Sequence, residues 1–184
     1  GMLAVLGLDM PTVEQIAAQA SALDEQVVVA NDNCVGQVIL SGHPSALKRA
    51  QTLANQAGAK RALPLVVSGA FHSPYMEPAV QEMLPVLGKL ALKPTRVPVV
   101  ANITALPESD PADVRANLAA QITGRVRWTE TIGFMNAQGV DTFIECGAGR
   151  VLTGLNKRLV PEAMAFSVGD SAGITACLTA LKNA

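Results

Sequence analysis

Residues 27–67 read VVVANDNCVGQVILSGHPSALKRAQTLANQAGAKRALPLVV, and their two periodicities decide the fold. Val27 to Ala30 is a β-branched run, and Asn31-Asp32-Asn33 punctuates it as a turn signal. Gly36 to Leu40 reads as a second strand, closed by Ser41-Gly42. From Pro44 to about Ala57 the period changes. Ala46, Leu47, Ala50, Leu53 and Ala54 recur on one helical face, Gly58 ends the helix, and Arg61 to Val67 returns as a strand. Upstream, Leu3 to Leu8 alternates as a strand. Asp9 is a helix N-cap and Pro11 a first-turn residue of a helix running to about Ala22. The order over residues 3–67 is therefore β-α-β-β-α-β, the split or ferredoxin-like motif with two helices on one face of a four-stranded antiparallel sheet.

Beyond Phe71 the rhythm becomes α/β. The sequence predicts helices over Pro74–Lys89, Asp113–Gln121, Thr129–Gln138, Val151–Leu159 and Ile174–Lys182. Strands are predicted at Val97–Asn102, Asp141–Cys146 and Ala163–Val168. Such alternation belongs to part of a parallel, doubly wound sheet. Two subdomains are expected, residues 1–67 and residues 68–184.

Composition narrows the function. Of 184 residues, 49% are hydrophobic, enough for a sizeable core, and 14 basic against 15 acidic residues leave a net charge of -1. With aromatics at 3%, both the basic stripe and the stacking platforms of a nucleic-acid binder are missing. Cys34, Cys146 and Cys177 have no CxxC spacing, so neither a zinc site nor another metal is indicated; scattered thiols suit a reduced, cytoplasmic protein. The apolar runs are too short to span a bilayer, and no basic-then-apolar secretory leader opens the chain. Gly1-Met2 leading directly into a strand fits a tag remnant before an initiator, or a cut inside a longer protein.

Three motifs carry possible chemistry. In Val67-Ser-Gly-Ala-Phe-His72-Ser-Pro-Tyr-Met76, a histidine follows a strand and precedes a helix, a good place for a general base, since an imidazole can accept and return a proton. A helix-capping or purely structural histidine fits the same residues. His43, before Pro44, is a turn residue at a helix start. Gly147-Ala-Gly-Arg150 lacks the Gly-Lys-Ser/Thr of a P-loop and reads as a tight strand-to-helix turn. Gly169-Asp-Ser-Ala-Gly173 matches G-x-S-x-G, but no Asp, Glu or His follows it to complete a hydrolase order. Asp170 or Ser171 is expected to cap the last helix.

Colinear segments resemble the bacterial malonyl-CoA:acyl-carrier-protein transacylase family. They are Leu3 to Asp9, Val28 to Asn31 with Asn33 and Gly36 to Val38, Ser41-Gly42, Ala57 to Pro64, Val67 to Met76, and Pro98 to Asn102. Gln121 with Val126 to Trp128, and Gly139 to Phe143 leading into Gly147 to Leu155, complete the set. The resemblance implies a ferredoxin-like small subdomain inserted into an α/β-hydrolase-like acyltransferase subdomain. It implies ping-pong transfer of a malonyl group from coenzyme A to the phosphopantetheine thiol of acyl carrier protein, through a serine acyl-enzyme and without a cofactor. His72 takes the general-base role. Gln121 lies where a backbone carbonyl orients that ring. Phe71 resembles the residue that selects malonyl over α-methyl substrates, and core packing fits it as well. Asn33 and Gln37 suit the cleft between the subdomains, and equally a turn and a ladder position.

The family's Gly-His-Ser-x-Gly elbow and its carboxylate-gripping arginine lie upstream in family order and have no counterpart here. Arg61, Arg125, Arg127 and Arg150 sit at other motif positions. The chain is accordingly expected to be inactive alone, and to act beside an N-terminal piece or to self-associate. A serine hydrolase using Ser171 with His72, and a non-catalytic carrier-protein docking module, are the competing expectations. Docking would run through Lys48, Arg49, Lys60 and Arg61 and weaken with salt.

Overall fold

The computed structural model describes residues 1–182; the last two positions of the expected 68–184 subdomain lie outside the described residues. The chain forms two compact units, one through Thr131 and one from Ile132 onward. The fold is α/β with a mixed sheet.

The first unit is built on β1 (Met2–Leu6), β2 (Val27–Cys34), β3 (Gln37–Gly42) and β4 (Arg61–Pro64), with helices α1 (Met10–Ala20) and α2 (Pro44–Gln56). The strand order is β4-β1-β3-β2, every neighbouring pair antiparallel. Alternation explains the burial. Leu3 pairs with Leu40 and Val5 with Val38, all pointing at the helices, while Met2 and Ile39 face the other side. The helices answer with Val13, Ile16 and Ala17 on α1 and Ala46, Leu47, Ala50 and Ala54 on α2, all buried. These small alanines keep both helices close to the sheet. Asp9 caps α1 by accepting from the Thr12 N–H at 3.0 Å, as its position before Pro11 predicts. His43 caps α2 through Nδ1.

Within residues 27–67, two strand readings differ from expectation. Asn31-Asp32-Asn33 is not a turn: β2 continues to Cys34 through two register shifts, and the reversal falls at Gly36, whose φ of 73° is left-handed. Asn31 and Asp32 pair with Ile39 and Val38 of β3 on one side, and on the other with β7 (Val126–Arg127) in parallel, a second backbone partner the local sequence cannot reveal. The strand expected over Arg61–Val67 stops at Pro64, which brings no N–H to the ladder.

Asp32 is held at this junction by the Thr129 hydroxyl, which donates to its Oδ1 at 2.9 Å. Burial pushes the Asp32 carboxyl above the usual carboxylate range, against the Thr129 bond and Arg125; Glu130 and Glu14 add to the rise. A raised acid penalises the folded state once ionised, and the penalty vanishes below the unfolded-state pKa. Asp32→Asn, which keeps an acceptor for Thr129, is therefore expected to raise the unfolding midpoint at pH 7, with the gain shrinking to nothing as pH falls through the carboxylate range. An equal gain at both ends of a pH series of urea melts would refute this.

The rest of the first unit holds a 3₁₀ turn (Pro74–Met76), α3 (Glu77–Lys89), the short pair β5 (Val99–Val100) and β6 (Pro107–Glu108), and α4 (Pro111–Ala120). The strand expected over Val97–Asn102 shrinks to two residues beside Pro98, and the helix expected from Pro74 begins as the 3₁₀ turn. α5 (Trp128–Ala137) spans the division between the units.

In the second unit β8 (Thr142–Cys146) and β9 (Met164–Val168) pair in parallel, joined through α6 (Val151–Leu159) and followed by α7 (Ser171–Lys182). Parallel pairing with an intervening helix is the expected α/β arrangement. Among the described residues, no helix is long and apolar enough to cross a membrane.

Candidate active site

The segment between β4 and α3 carries His72 in a left-handed backbone conformation, φ 57°. A non-glycine residue there costs on the order of 1–3 kcal/mol and persists only where its surroundings hold it. Those surroundings are visible. The Ser73 hydroxyl, fully buried, donates to the Ala70 carbonyl at 2.6 Å. The Met76 N–H reaches the Ser73 carbonyl at 3.0 Å. Tyr75 Oη accepts from the Gln26 N–H at 3.0 Å and donates to the Asp24 carbonyl at 3.5 Å, fastening the segment to the α1–β2 connection.

The imidazole is oriented from the end of α4. His72 Nδ1 lies 2.9 Å from the Gln121 carbonyl oxygen and 3.1 Å from that of Gly124. Both are acceptors only, so Nδ1 carries the hydrogen in the neutral ring and Nε2 keeps its lone pair. The side chain of Gln121 has a different task. Its Nε2 donates to the Gly124 carbonyl at 3.2 Å and stands 3.3 Å from His72 Nδ1, where two donors face each other and no bond forms in this tautomer. The arrangement is an imidazole fixed at Nδ1 by neutral dipoles, whose Nε2 has no hydrogen bond among the described residues and carries the lone pair that can take and return a proton.

His72, Gln121 and Gly124 form the hydrogen-bonded set; Phe71 and Asn33 stand outside it. Phe71 precedes His72 and is about one-third exposed, and a methyl group added at Gly69 would meet its ring at 3.6 Å. Asn33 lies half-buried in the second register shift of β2, between Asp32↔Val38 and Cys34↔Gln37. Gly124 escaped the sequence reading because one glycine in a polar loop carries no distinguishing signal.

The remaining motifs resolve into local structure. Asp170 Oδ1 accepts from the Gly173 N–H at 2.7 Å, so Asp170 caps α7 and Ser171 is its first residue. Gly147 and Gly149 both have left-handed φ values, as a tight β8–α6 turn requires. The start of α6 is already occupied by an internal anion. Glu145 accepts from the Leu152 and Thr153 N–H groups and from the Thr153 hydroxyl. Burial pushes its carboxyl up, but these donors outweigh it and hold the group below its usual range. Arg125 pairs with Glu14 at 2.8 Å and Arg127 with Glu130, so both have structural partners.

The acyl transferase domain family matches residues 2–177. The chain is 38% identical over 181 residues to the malonyl CoA-acyl carrier protein transacylase of Bacillus subtilis (strain 168), covering 98% of this chain and 57% of that protein. Among solved structures it resembles an acyl carrier protein S-malonyltransferase from Vibrio cholerae with a TM-score of 0.91 and 40% identity, over 96% of this chain and 57% of that one. It also resembles a malonyl-transacylase solved in complex with its type II PKS acyl-carrier protein, with a TM-score of 0.92 and 38% identity, over 100% of this chain and 58% of that one. The chain thus spans well under two thirds of the length of these relatives.

Proposed function

The chain belongs to the acyl transferase domain family, and on that footing we propose that it supplies the general base for moving a malonyl group from coenzyme A to the phosphopantetheine thiol of acyl carrier protein. The observation that carries this is the His72 ring, tied at Nδ1 to two carbonyls and, among the described residues, with no hydrogen bond at Nε2. In the proposed cycle a serine hydroxyl attacks the thioester carbonyl and His72 Nε2 takes its proton. The C–S bond then breaks, and the proton passes to the departing CoA sulfur. Transfer to the carrier's thiol runs the same steps in reverse, with His72 deprotonating that thiol and returning the proton to serine.

The serine is proposed to lie in a segment that the longer relatives have and this chain does not contain. The chain alone is then a base without a nucleophile, which needs that segment or a second molecule to complete it. The antiparallel β4-β1-β3-β2 order with α1 and α2 supports reading residues 1–67 as a ferredoxin-like small subdomain. Residues from 68 onward would be the C-terminal portion of the larger, hydrolase-like one. Phe71 is proposed to exclude an α-methyl group, a discrimination of about 1–3 kcal/mol, and Asn33 to line the substrate cleft. Malonyl-CoA and acyl carrier protein are the proposed partners, and the cytoplasm the proposed compartment.

Intact-mass spectrometry after brief incubation with malonyl-CoA tests this. A malonyl adduct is expected only when the matching N-terminal segment of a relative is present, and on that segment's serine. Ser171→Ala should leave the adduct unchanged, because Ser171 opens a helix that Asp170 already caps. Acylation of this chain alone at Ser171 would replace transfer with hydrolase chemistry.

A further inference from the structure

We propose that Gly124 is a positioning residue: its carbonyl is the second jaw of a clamp on His72 Nδ1, held in place by the Gln121 side-chain amide and by the lack of a side chain at 124. The inference rests on the transfer reading above for its catalytic consequence, though not for its geometry.

One N–H shared between two carbonyls fixes the imidazole in two directions, where a single acceptor would let the ring swing about the bond. The 2.9 and 3.1 Å distances to the Gln121 and Gly124 oxygens make the sharing nearly even. Three features aim the second carbonyl. The Gly124 N–H donates to the Ala120 carbonyl at 2.9 Å, closing the end of α4. The Gln121 Nε2 donates to the Gly124 oxygen from the side. The third element is space. A Cβ at 124 would lie 2.0 Å from Ile103 Cδ1 and 2.9 Å from the Ala120 oxygen. Gly124 is not among the glycines with left-handed φ, so it is needed here for room rather than for backbone conformation.

The clamp predicts a tautomer. With both acceptors engaged, neutral His72 is protonated at Nδ1 and the lone pair is on Nε2. The chain has only two histidines, so nitrogen-15 spectra of the full chain read this state directly, with His43 as internal reference. Gly124→Ala is expected to shift the neutral ring toward a mixture of tautomers. In the transfer assay with the N-terminal segment it should lower kcat roughly ten- to a hundredfold, leaving KM for malonyl-CoA within about twofold. Ile103→Ala added to Gly124→Ala removes the nearest clash but leaves the 2.9 Å approach to the Ala120 oxygen, so it should restore both readouts in part. If Gly124→Ala does not fold, Gln121→Leu, which removes the brace but keeps the 121 carbonyl, should shift the tautomer the same way.

A wild-type ring protonated at Nε2 overturns the clamp, whatever the activity. So does Gly124→Ala with tautomer and kcat unchanged, and so does failure of Ile103→Ala to restore either. An Nδ1-protonated ring in a reconstituted protein that transfers nothing would instead sink the transfer reading and leave the clamp standing.

Discussion

His72→Ala, assayed beside the nucleophile-bearing segment, is expected to slow acyl-enzyme formation by about 10²–10⁴-fold, the usual worth of a positioned base. Binding of malonyl-CoA should change little, because the loss is confined to proton transfer in the transition state. The fold should survive. His72 is only half-buried, and the Ser73–Ala70 and Tyr75–Gln26 bonds that shape its segment do not involve the ring. Rapid-quench measurement of the adduct, with circular dichroism as a control on folding, decides the matter. A rate within threefold of wild type would remove His72 from the chemistry and return it to a structural role.

The largest effect on stability is expected from Leu40→Ala. Leu40 has no exposed surface and lies opposite Leu3 on one side and Val29 on the other, at the centre of the sheet beneath α1 and α2. Truncation removes burial and leaves a void that alanine-lined helices have few long side chains to fill, so a loss of about 2–5 kcal/mol follows. Urea unfolding should show a lower midpoint at unchanged slope. A loss below about 1 kcal/mol would mean that the sheet and helices close over the gap, which close-packed cores rarely allow.

Much of this architecture was legible because its causes are local. α6 runs over Val151–Leu159 as its periodicity predicts, and α1 starts where Asp9 and Pro11 announce it. Where β4 stops at Pro64 the cause is local, but the larger error is not. Asn31 to Asn33 carry every local mark of a turn, yet they are strand: β3 pairs with Asn31 and Asp32 on one side through an irregular register, and on the other the same two residues meet Val126 and Arg127, far away along the chain. The site is similar. His72 and Gln121 are 49 residues apart, and no periodicity contains their contact; the glutamine came from family resemblance. The requirement for glycine at 124 depends on where Ile103 packs, and the left-handed φ of His72 depends on Ser73 and Tyr75 holding it. These are tertiary facts, and composition or spacing does not encode them in readable form.

The bond from Tyr75 to the α1–β2 connection has a practical side. Tyr75 is the chain's single tyrosine, and its phenol is anchored to two backbone groups three residues past His72. Its ultraviolet absorbance, separated from that of Trp128 by difference spectra, is therefore a native optical gauge of whether the histidine segment is docked. Loosening of that segment, whether by heat, urea or ligand, would register as loss of the phenol's two backbone bonds.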